Sequence, residues 1–180
     1  MNKIELRVHM KKQRDKIKTE FINEASATIA NKFMTEFGHL DSFVIYYEID
    51  NEVKTSELIN TLILNKKSVY LPIYKKDFEG FGLCDNLNKM IAKKNGLREP
   101  IEISQLVNVD IVVVPALAFD IKGYRIGYGS GFYDRALKKI RTKYRIGFAY
   151  EFQIVDKIPC DPYDEPVDVI ITEKNTYRRS

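Results

Sequence analysis

A glycine-rich segment between an apolar run and a helical pattern places the strongest constraint on the fold of this chain. It occupies residues 119–137, and four of the chain's nine glycines fall in it: Gly123, Gly127, Gly129 and Gly131. Because glycine loses much backbone entropy on folding, such a cluster indicates a loop whose backbone must approach a ligand closely. A strand, a glycine-rich loop and a helix start, in that order, are typical of an anion site.

The order of apolar segments predicts the fold class. Helical spacing of apolar residues predicts helices over 2–20, 23–37, 55–65 and 133–140,. Gly38 is predicted to follow the second helix as a left-handed C′ residue. Apolar and β-branched runs predict strands over 43–47, 68–71, 111–114, 144–149 and 167–171, with Pro72 ending the second. Strands that alternate with helices predict a three-layer α/β domain with a mainly parallel sheet flanked by helices.

Two stretches are harder to interpret. Within 75–108, residues 81–84 could form a strand and 103–107 a helical turn, whereas 173–180 is a polar tail. The run Ile111–Val114 is continuously apolar, which suits a central parallel strand covered on both faces. A length of 180 residues predicts one domain over 1–180,.

Composition narrows the functional classes. With 44% hydrophobic and 30% charged residues, the chain resembles ordinary soluble proteins,. No apolar run is long enough to span a membrane, and the charged first 18 residues do not resemble a signal peptide,. Cys84 and Cys160 lack metal-ligand spacing, which favours a reducing, cytoplasmic setting. We expect a monomer or weak oligomer. The net charge of +4 suits an anionic small molecule as well as RNA,.

The glycine-rich segment 119–137, called the glycine loop below, gives the clearest indication of a binding site. It has no Gly-Lys-Ser/Thr sequence, and its Gly-x-Gly-x-Gly spacing matches the dinucleotide fingerprint poorly,. Arg125 precedes these glycines and Asp134 follows them, which supplies a cation for phosphate, backbone N–H donors and a carboxylate for Mg²⁺. The alternative is a tight turn in which Asp134 caps a helix.

Other charged residues leave alternatives open. Lys3, Arg7 and Arg14 form a basic stripe on the first helix, which could bind a polyanion but is more typical of a solvated face,. Thr55 is predicted to be an N-cap. Glu52 lies at the exit of a strand and could face a pocket, but an exposed loop acid is favoured. The acidic segment 161–168 fits a surface turn or a second metal carboxylate equally well.

No set of residues suggests nucleophilic catalysis. His9 and His39 are isolated, and Ser130 does not occupy a nucleophile elbow,.

Together, several motifs resemble one known family over nearly the whole chain. They are Lys3-x-x-x-Arg7, Asn51-Glu-Val-Lys-Thr55, Val114-Pro-Ala-Leu-Ala-Phe-Asp120, Gly123-x-Arg-Ile-Gly-x-Gly-x-Gly-x-Tyr-Asp-Arg135, Arg145-Ile-Gly-Phe-Ala-Tyr-Glu-Phe-Gln153 and Asp164-x-x-x-Asp-x-Ile-Ile-Thr172. In this order they resemble the 5-formyltetrahydrofolate cyclo-ligase family, also called the methenyltetrahydrofolate synthetases. The segment around the glycines is the most specific of them.

The resemblance implies a ligase that couples ATP hydrolysis, with Mg²⁺, to closure of 5-formyltetrahydrofolate into 5,10-methenyltetrahydrofolate. It implies catalytic roles for Arg125 and Asp134, and metal binding by Asp134 and Asp164. The implied ATP contacts are Lys3, Ile4, Glu5, Leu6, Arg7, Arg125, Ile126, Gly127, Tyr128, Gly129, Ser130, Gly131, Phe132 and Tyr133. The implied folate contacts are Arg7, Glu52, Tyr128, Gly129, Ser130, Gly131 and Phe132.

The chain departs from the family pattern at two positions. Ser130 stands where the family usually has lysine, so another cation, Arg125 or Lys122, is expected to replace one phosphate contact. Tyr163 stands where the family usually has histidine, although Asp164 is retained. The alternative function is a non-catalytic nucleotide- or RNA-binding module that uses the basic first helix. The chain lacks the ordered basic and aromatic platform of common RNA modules, so we expect no nucleic-acid partner and no membrane partner.

Overall fold

The secondary structure was obtained from a computed structural model, which describes residues 1–75, 78–94, 96–106 and 108–179. The α-helices are α1 (Lys3–Arg14), α2 (Thr19–Phe37), α3 (Ser56–Leu64) and α4 (Phe132–Lys139). The strands are β1 (Ser42–Val44), β2 (Ser68–Lys75), β3 (Phe78–Leu83), β4 (Ile91–Ala92), β5 (Arg98–Glu99), β6 (Asn108–Val114), β7 (Ala118–Asp120), β8 (Arg125–Ile126), β9 (Arg141–Phe148), β10 (Ile154–Val155), β11 (Val169–Ile171) and β12 (Thr176–Arg178). Short 3-10 turns span Leu87–Lys89 and Glu151–Gln153.

A seven-stranded sheet in the order β12-β11-β9-β6-β1-β2-β3 forms the centre of the fold. Its five inner strands pair in parallel, and only the edge strands β12 and β3 are antiparallel to their neighbours. Ile111 to Val114 are all buried, as expected for a central strand covered on both faces,. The helices flank this sheet, which confirms the predicted α/β class and the mainly parallel sheet.

Between the adjacent strands β1 and β6, the connections to the next strand of the sheet change direction. The two strands are parallel neighbours in the sheet. From β1 the chain continues through α3 to β2 on one side, whereas from β6 it continues through α4 to β9 on the other. In open α/β sheets, ligands bind beside the carboxyl ends of such a pair of strands.

A second, smaller sheet positions the first helix. It has the order β10-β7-β8. Leu6 and Met10 of α1 are buried in a separate apolar cluster against this sheet, together with Leu117, Ala118, Ile126 and Ile158. Burial of this kind contributes roughly 25 cal/mol per Å² of apolar surface, so it fixes α1 beside the loop that follows β8.

Several boundaries differ from the predictions. The helix predicted over 2–20 is interrupted, because α1 ends at Arg14 and α2 begins at Thr19 rather than near residue 23. Gly38 is the C-cap of α2 with φ −63°, not a left-handed C′ residue, and its N–H donates to Met34 O. Thr55 is the N-cap of α3, as predicted.

Three further predictions differ from the strands that the structure shows. β2 continues through Pro72 to Lys75, because beyond Tyr70 it is paired with β3 alone and a residue without an N–H is tolerated on the unpaired side,. Residues 103–106 form no helical turn; Ser104 instead makes an antiparallel bridge with Phe81, and residue 107 lies outside the described residues. The polar tail contributes β12, which pairs with β11.

Within the described ranges, no helix combines the length and the apolar character that crossing a bilayer requires.

Candidate active site

A cavity of about 480 Å³ opens at the carboxyl ends of β1 and β6. Tyr46 and Tyr47, which follow β1, and Pro115, which follows β6, form part of its wall. Its size falls within the range of small-molecule sites, roughly 300–1,000 Å³. The reversal of the connections therefore coincides with a concave site large enough for a ligand.

Helix α1 contributes two cations to this cavity. Lys3 Nζ lies 2.7 Å from Asp161 Oδ2 and 2.6 Å from Asp164 Oδ2. Arg7 Nε donates to Gly127 O at 2.9 Å. Burial alone would lower the pKa of Lys3, but its hydrogen bonds to the two aspartates raise that pKa above its ordinary value. The expectation that this stripe is a solvated face is therefore wrong, because α1 turns it toward the glycine loop and the acidic segment.

Helix α1 begins with a capping box that explains the residues around these cations. The Asn2 side chain accepts hydrogen bonds from Ile4 N and Glu5 N, and Glu5 Oε2 accepts one from Asn2 N. Ile4 is 70% exposed and Leu6 packs in the cluster beneath the helix. Ile4, Glu5 and Leu6 do not line the cavity, unlike Lys3 and Arg7. Their implied ATP contacts are therefore not supported by their positions.

A third cation, Arg125, is held deeper in the site. Arg125 Nη2 lies 2.7 Å from Asp134 Oδ1, and Arg125 Nη1 donates to the carbonyl oxygen of Glu165. Asp134 Oδ1 also accepts a hydrogen bond from Glu165 N at 3.1 Å. The Arg125 side chain is only 6% exposed. Asp134 thus ties the start of α4 to the acidic segment, rather than capping the helix alone.

The acidic segment faces the cavity instead of forming a remote surface turn. Asp161 and Asp164 both line it. Asp164 Oδ2 accepts from Asp161 N at 2.8 Å as well as from Lys3. Burial would raise the pKa of Asp164, but the Lys3 hydrogen bond and others lower it below its ordinary value. Asp164 is therefore ionised, and its charge is directed at the site.

The glycine loop forms the wall between these charges. Gly129 and Gly131 have φ angles of 99° and 69°, which side chains rarely adopt,. Gly131 is the N-cap of α4, and Ser130 Oγ accepts a hydrogen bond from Phe132 N at 3.3 Å. An added Cβ at Gly129 would lie 3.8 Å from the Arg7 guanidinium carbon. The loop therefore passes directly over Arg7, with its backbone at the cavity.

Aromatic side chains form the remaining wall. The Phe132 and Tyr74 ring centroids are 4.6 Å apart, and those of Phe132 and Tyr133 are 5.0 Å apart. All three residues line the cavity, as does Tyr128. Such faces suit a flat heterocycle.

Glu52 is not an exposed loop acid, so that prediction was wrong. It is only 5% exposed and lines the cavity. Its Oε2 accepts from Ile49 N at 3.1 Å, and its Oε1 accepts from the Tyr128 hydroxyl at 3.0 Å. Burial raises the pKa of Glu52, whereas Arg14 opposes that rise. The turn after β1 folds back over the sheet, which the local sequence does not reveal.

Arg14 is the residue of this region whose position the sequence did not predict. It is 1% exposed, although it belongs to the same basic stripe as Lys3 and Arg7. Its Nη2 donates to the Tyr128 hydroxyl, and its Nη1 lies 3.8 Å from Glu52 Oε1. The spacing from Arg7 to Arg14 is two helical turns, so the two side chains share a face of α1.

Two further expectations can be compared with the structure. Lys122 does not line the cavity, so it does not replace a lysine at position 130, whereas Arg125 does line it. Among the residues that the structure describes, no group of three His, Cys, Asp or Glu side chains is arranged to hold a metal ion. Any metal held here would need ligands from a substrate in addition to Asp134 and Asp164.

Comparison with known proteins identifies the family. The model of the 5-formyltetrahydrofolate cyclo-ligase family matches residues 1–173. The chain belongs to the 5-formyltetrahydrofolate cyclo-ligase family. This confirms the resemblance found in the sequence, and it confirms the enzyme class, since the curated relatives of this family are ligases.

Individual cyclo-ligases are similar in sequence and in fold. The 5-formyltetrahydrofolate cyclo-ligase of Haemophilus influenzae is 33% identical over 140 residues, covering 72% of this chain and 75% of the relative. That of Escherichia coli is 29% identical over 143 residues, covering 74% and 78%. The structure of Aquifex aeolicus 5,10-methenyltetrahydrofolate synthetase superposes with a TM-score of 0.87 at 31% identity, covering 99% of this chain and 93% of that one. The corresponding synthetase from Mycoplasma pneumoniae gives a TM-score of 0.72 at 28% identity, covering 96% and 99%.

Proposed function

We propose that this protein closes 5-formyltetrahydrofolate to 5,10-methenyltetrahydrofolate and hydrolyses ATP to ADP and phosphate in the same reaction. One observation carries the proposal: a single cavity is lined by Lys3 and Arg7, by Glu52, by the glycine loop, and by Asp134 and Asp164. These are the segments that carry the family's motifs, and the family model spans all of them. Distant parts of the sequence thus contribute polyphosphate-binding and heterocycle-binding groups to one site.

The phosphates of ATP fit the side of the cavity formed by the glycine loop. Backbone N–H groups at the start of α4 and the positive end of the helix dipole favour an anion there. Lys3, Arg7 and Arg125 line the same cavity. Each of them is bonded to an aspartate or a carbonyl oxygen, so a polyphosphate would compete for cations that are already held in place.

The two carboxylates fit a magnesium ion that arrives with a nucleotide. Mg²⁺ is usually bound by one or two carboxylates together with substrate phosphates. In the described part of the chain, the hydrogen bonds and ion pairs of Asp134 use Oδ1, and those of Asp164 use Oδ2. The second oxygen of each carboxylate is available to a cation. When bound, Mg²⁺ would neutralise charge on the transferred phosphoryl group.

The chemistry requires activation of a poor leaving group, the formyl oxygen. That oxygen attacks the γ-phosphorus, the bond from γ-phosphorus to the bridging oxygen breaks, and ADP leaves. N10 then attacks the formyl carbon and loses its proton to solvent, while the carbon–oxygen bond breaks and releases phosphate. Arg125, which lines the cavity, would offset negative charge during the first transfer by its position rather than by nucleophilic catalysis,.

A cyclisation assay tests this function. Purified protein with 5-formyltetrahydrofolate, ATP and Mg²⁺ is expected to produce a new near-ultraviolet absorbance and an equal amount of ADP. Omission of ATP, or chelation of Mg²⁺, is expected to abolish both signals. Folded protein that yields neither product nor ADP would overturn the proposal. RNA binding with a steep salt dependence, in the absence of cyclisation, would instead favour the non-catalytic alternative.

Replacing Ser130 by lysine is expected to lower the KM for ATP by about three- to tenfold, because a cation is added beside the phosphate-binding backbone. The folate KM is expected to change less than about twofold. Steady-state kinetics with each substrate varied in turn measure both values. Lys122→Ser is the matched control, since Lys122 lies outside the cavity and should leave both KM values unchanged. An unchanged ATP KM in Ser130→Lys would show that position 130 does not contact the nucleotide.

A further inference from the structure

A buried charged network lies behind the cavity wall and is not explained by the contacts proposed so far. Arg14 Nη2 donates to the Tyr128 hydroxyl, and that hydroxyl donates to Glu52 Oε1 at 3.0 Å. Arg14 is 1% exposed and Glu52 is 5% exposed. Tyr128 and Glu52 line the cavity, whereas Arg14 does not. The guanidinium therefore touches the site only through these two side chains.

The network also joins α1 to the glycine loop at two successive residues. Arg7 Nε donates to Gly127 O, and Arg14 Nη2 donates to the hydroxyl of the next loop residue, Tyr128. The Arg14 guanidinium carbon is 5.5 Å from the Tyr128 ring centroid, so it contacts the ring as well as the hydroxyl,. Arg7 and Arg14 are two turns apart on one helix. Their two contacts therefore fix the position of Gly127 and Tyr128 relative to α1.

Burying the charged guanidinium of Arg14 costs free energy, which indicates that its position has a functional role. Its Nε and Nη1 are buried without a hydrogen-bond partner among the described residues. A buried charge is costly unless it is paired, and replacing such a pair with apolar residues often stabilises a protein. Its nearest anionic atom is Glu52 Oε1, 3.8 Å from Nη1.

We propose that Arg14 is a positioning residue of the folate subsite, where it keeps Glu52 in its carboxylate form and holds Tyr128 against it. The proposal rests on the proposed function for the identity of the ligand. The aminopyrimidinone end of a pterin presents adjacent N–H donors. A carboxylate accepts two such donors side by side, whereas a neutral carboxyl must offer one hydrogen of its own. Arg14 thus acts on the substrate through Glu52.

Among the groups around Glu52, Arg14 does most to keep its carboxyl group ionised. Burial is the largest influence on the pKa of Glu52 and raises it, as does Asp50, whereas Arg14 is the largest influence among the described residues that lowers it. The Tyr128 hydrogen bond lowers this pKa further. The other ionisable neighbours are tyrosines, whose own pKa values lie above the ordinary value so that they stay neutral: Tyr46, Tyr74, Tyr133 and Tyr150. Loss of Arg14 therefore removes the largest of the influences that oppose burial at Glu52.

The direct test is the titration of the Glu52 carboxyl carbon, followed by NMR in protein labelled with ¹³C-glutamate. Its signal is assigned by its absence in Glu52→Gln. Arg14→Met is expected to move the midpoint upward by about one unit or more, and Arg14→Lys, which keeps the charge, by less than half of that shift. Lys11→Met is the matched control, because Lys11 is an exposed cation of the same helix that pairs with Asp15. An unchanged midpoint in Arg14→Met would overturn the proposal.

Binding measurements add a readout that a merely structural role would not move. Folate affinity of Arg14→Met, measured by calorimetry, is expected to weaken about tenfold as pH falls from about 8.5 to about 6.5, because Glu52 becomes protonated. Wild type, Arg14→Lys and Lys11→Met are expected to change little over the same range. A loss of affinity that is equal at every pH would show that Arg14 only supports the fold, and would also overturn the proposal.

A second variant keeps the test decisive if Arg14→Met does not fold. Tyr128→Phe removes the bridging hydroxyl and leaves both charges in place, so it is expected to raise the Glu52 midpoint by a smaller amount than the loss of Arg14 would. No shift in Tyr128→Phe would then count against the network. Failure of wild-type protein to cyclise 5-formyltetrahydrofolate would refute the proposed function, whereas the NMR titration would still decide the role of Arg14.

Discussion

Replacing Asp134 by asparagine is expected to lower kcat for ring closure by about a hundredfold to a thousandfold. Asp134 Oδ1 lies 2.7 Å from Arg125 Nη2, and the Arg125 side chain is 6% exposed. The substitution removes the counter-charge of a buried cation and one of the two carboxylates that we propose bind Mg²⁺. In the proposed mechanism both losses would act on phosphoryl transfer, so the effect is expected in kcat more than in the folate KM.

The matched control for this variant is Asp161→Asn. Asp161 also lines the cavity and pairs with Lys3, but its side chain is 68% exposed and Lys3 keeps its bond to Asp164. We expect less than about a tenfold loss of kcat, since exposed ion pairs contribute little. Steady-state kinetics, together with circular dichroism to confirm the fold, compare the two variants. Turnover of Asp134→Asn close to that of wild type would show that neither the metal role nor the Arg125 pair matters for catalysis.

Replacing Gly123 by alanine is expected to lower the free energy of unfolding by about 3 kcal/mol or more. Gly123 has a φ of +84°, and an added Cβ would lie 2.1 Å from the backbone oxygen of Val167. This close approach carries a hydrogen bond from Val167 N to Gly123 O at 2.9 Å. The variant must therefore shift the backbone that joins the glycine segment to the end of the acidic segment.

Two other glycines separate the causes of this loss. Gly96 has a φ of +82°, but no atom of the described residues lies within 4 Å of an added Cβ, so Gly96→Ala is expected to cost only about 1 kcal/mol from backbone strain,. Gly127 has neither the left-handed φ nor a close atom, so Gly127→Ala should change stability by less than about 0.5 kcal/mol,. Urea denaturation followed by circular dichroism measures all three. Equal stabilities of Gly123→Ala and Gly127→Ala would refute the steric argument.

Local patterns were sufficient for much of the fold. The continuous apolar run Ile111–Val114 predicts a covered central strand, and all four residues are buried in β6. Gly127, Gly129 and Gly131 lie between a strand and a helix as predicted, but that strand is the unpredicted β8 rather than the apolar run that ends at Val114. Helix α4 begins at Phe132, one residue before the prediction. These predictions succeeded because chain periodicity and glycine clustering report on local backbone conformation.

Predictions failed where a neighbouring strand or helix determined the outcome. Pro72 is predicted to end a strand, but β2 continues because beyond Tyr70 it pairs with β3 alone. The polar tail gave no strand signal of its own, yet Thr176–Arg178 pairs with β11. Pairing with a neighbour is a property of the sheet rather than of the segment, so it is invisible in a local pattern.

The candidate site shows most clearly which features the local sequence predicts and which depend on contacts between distant segments. The sequence alone was enough to indicate an anion-binding glycine loop, its flanking Arg125 and Asp134, and the family to which the chain belongs. It could not show that Glu52 and Arg14 are buried together beneath Tyr128, since 38 residues of sequence separate the first two and a further 76 separate Glu52 from Tyr128. Burial and charge pairing depend on which distant segments meet, and here they meet because β1 and β6 are adjacent where the connections of the sheet reverse,.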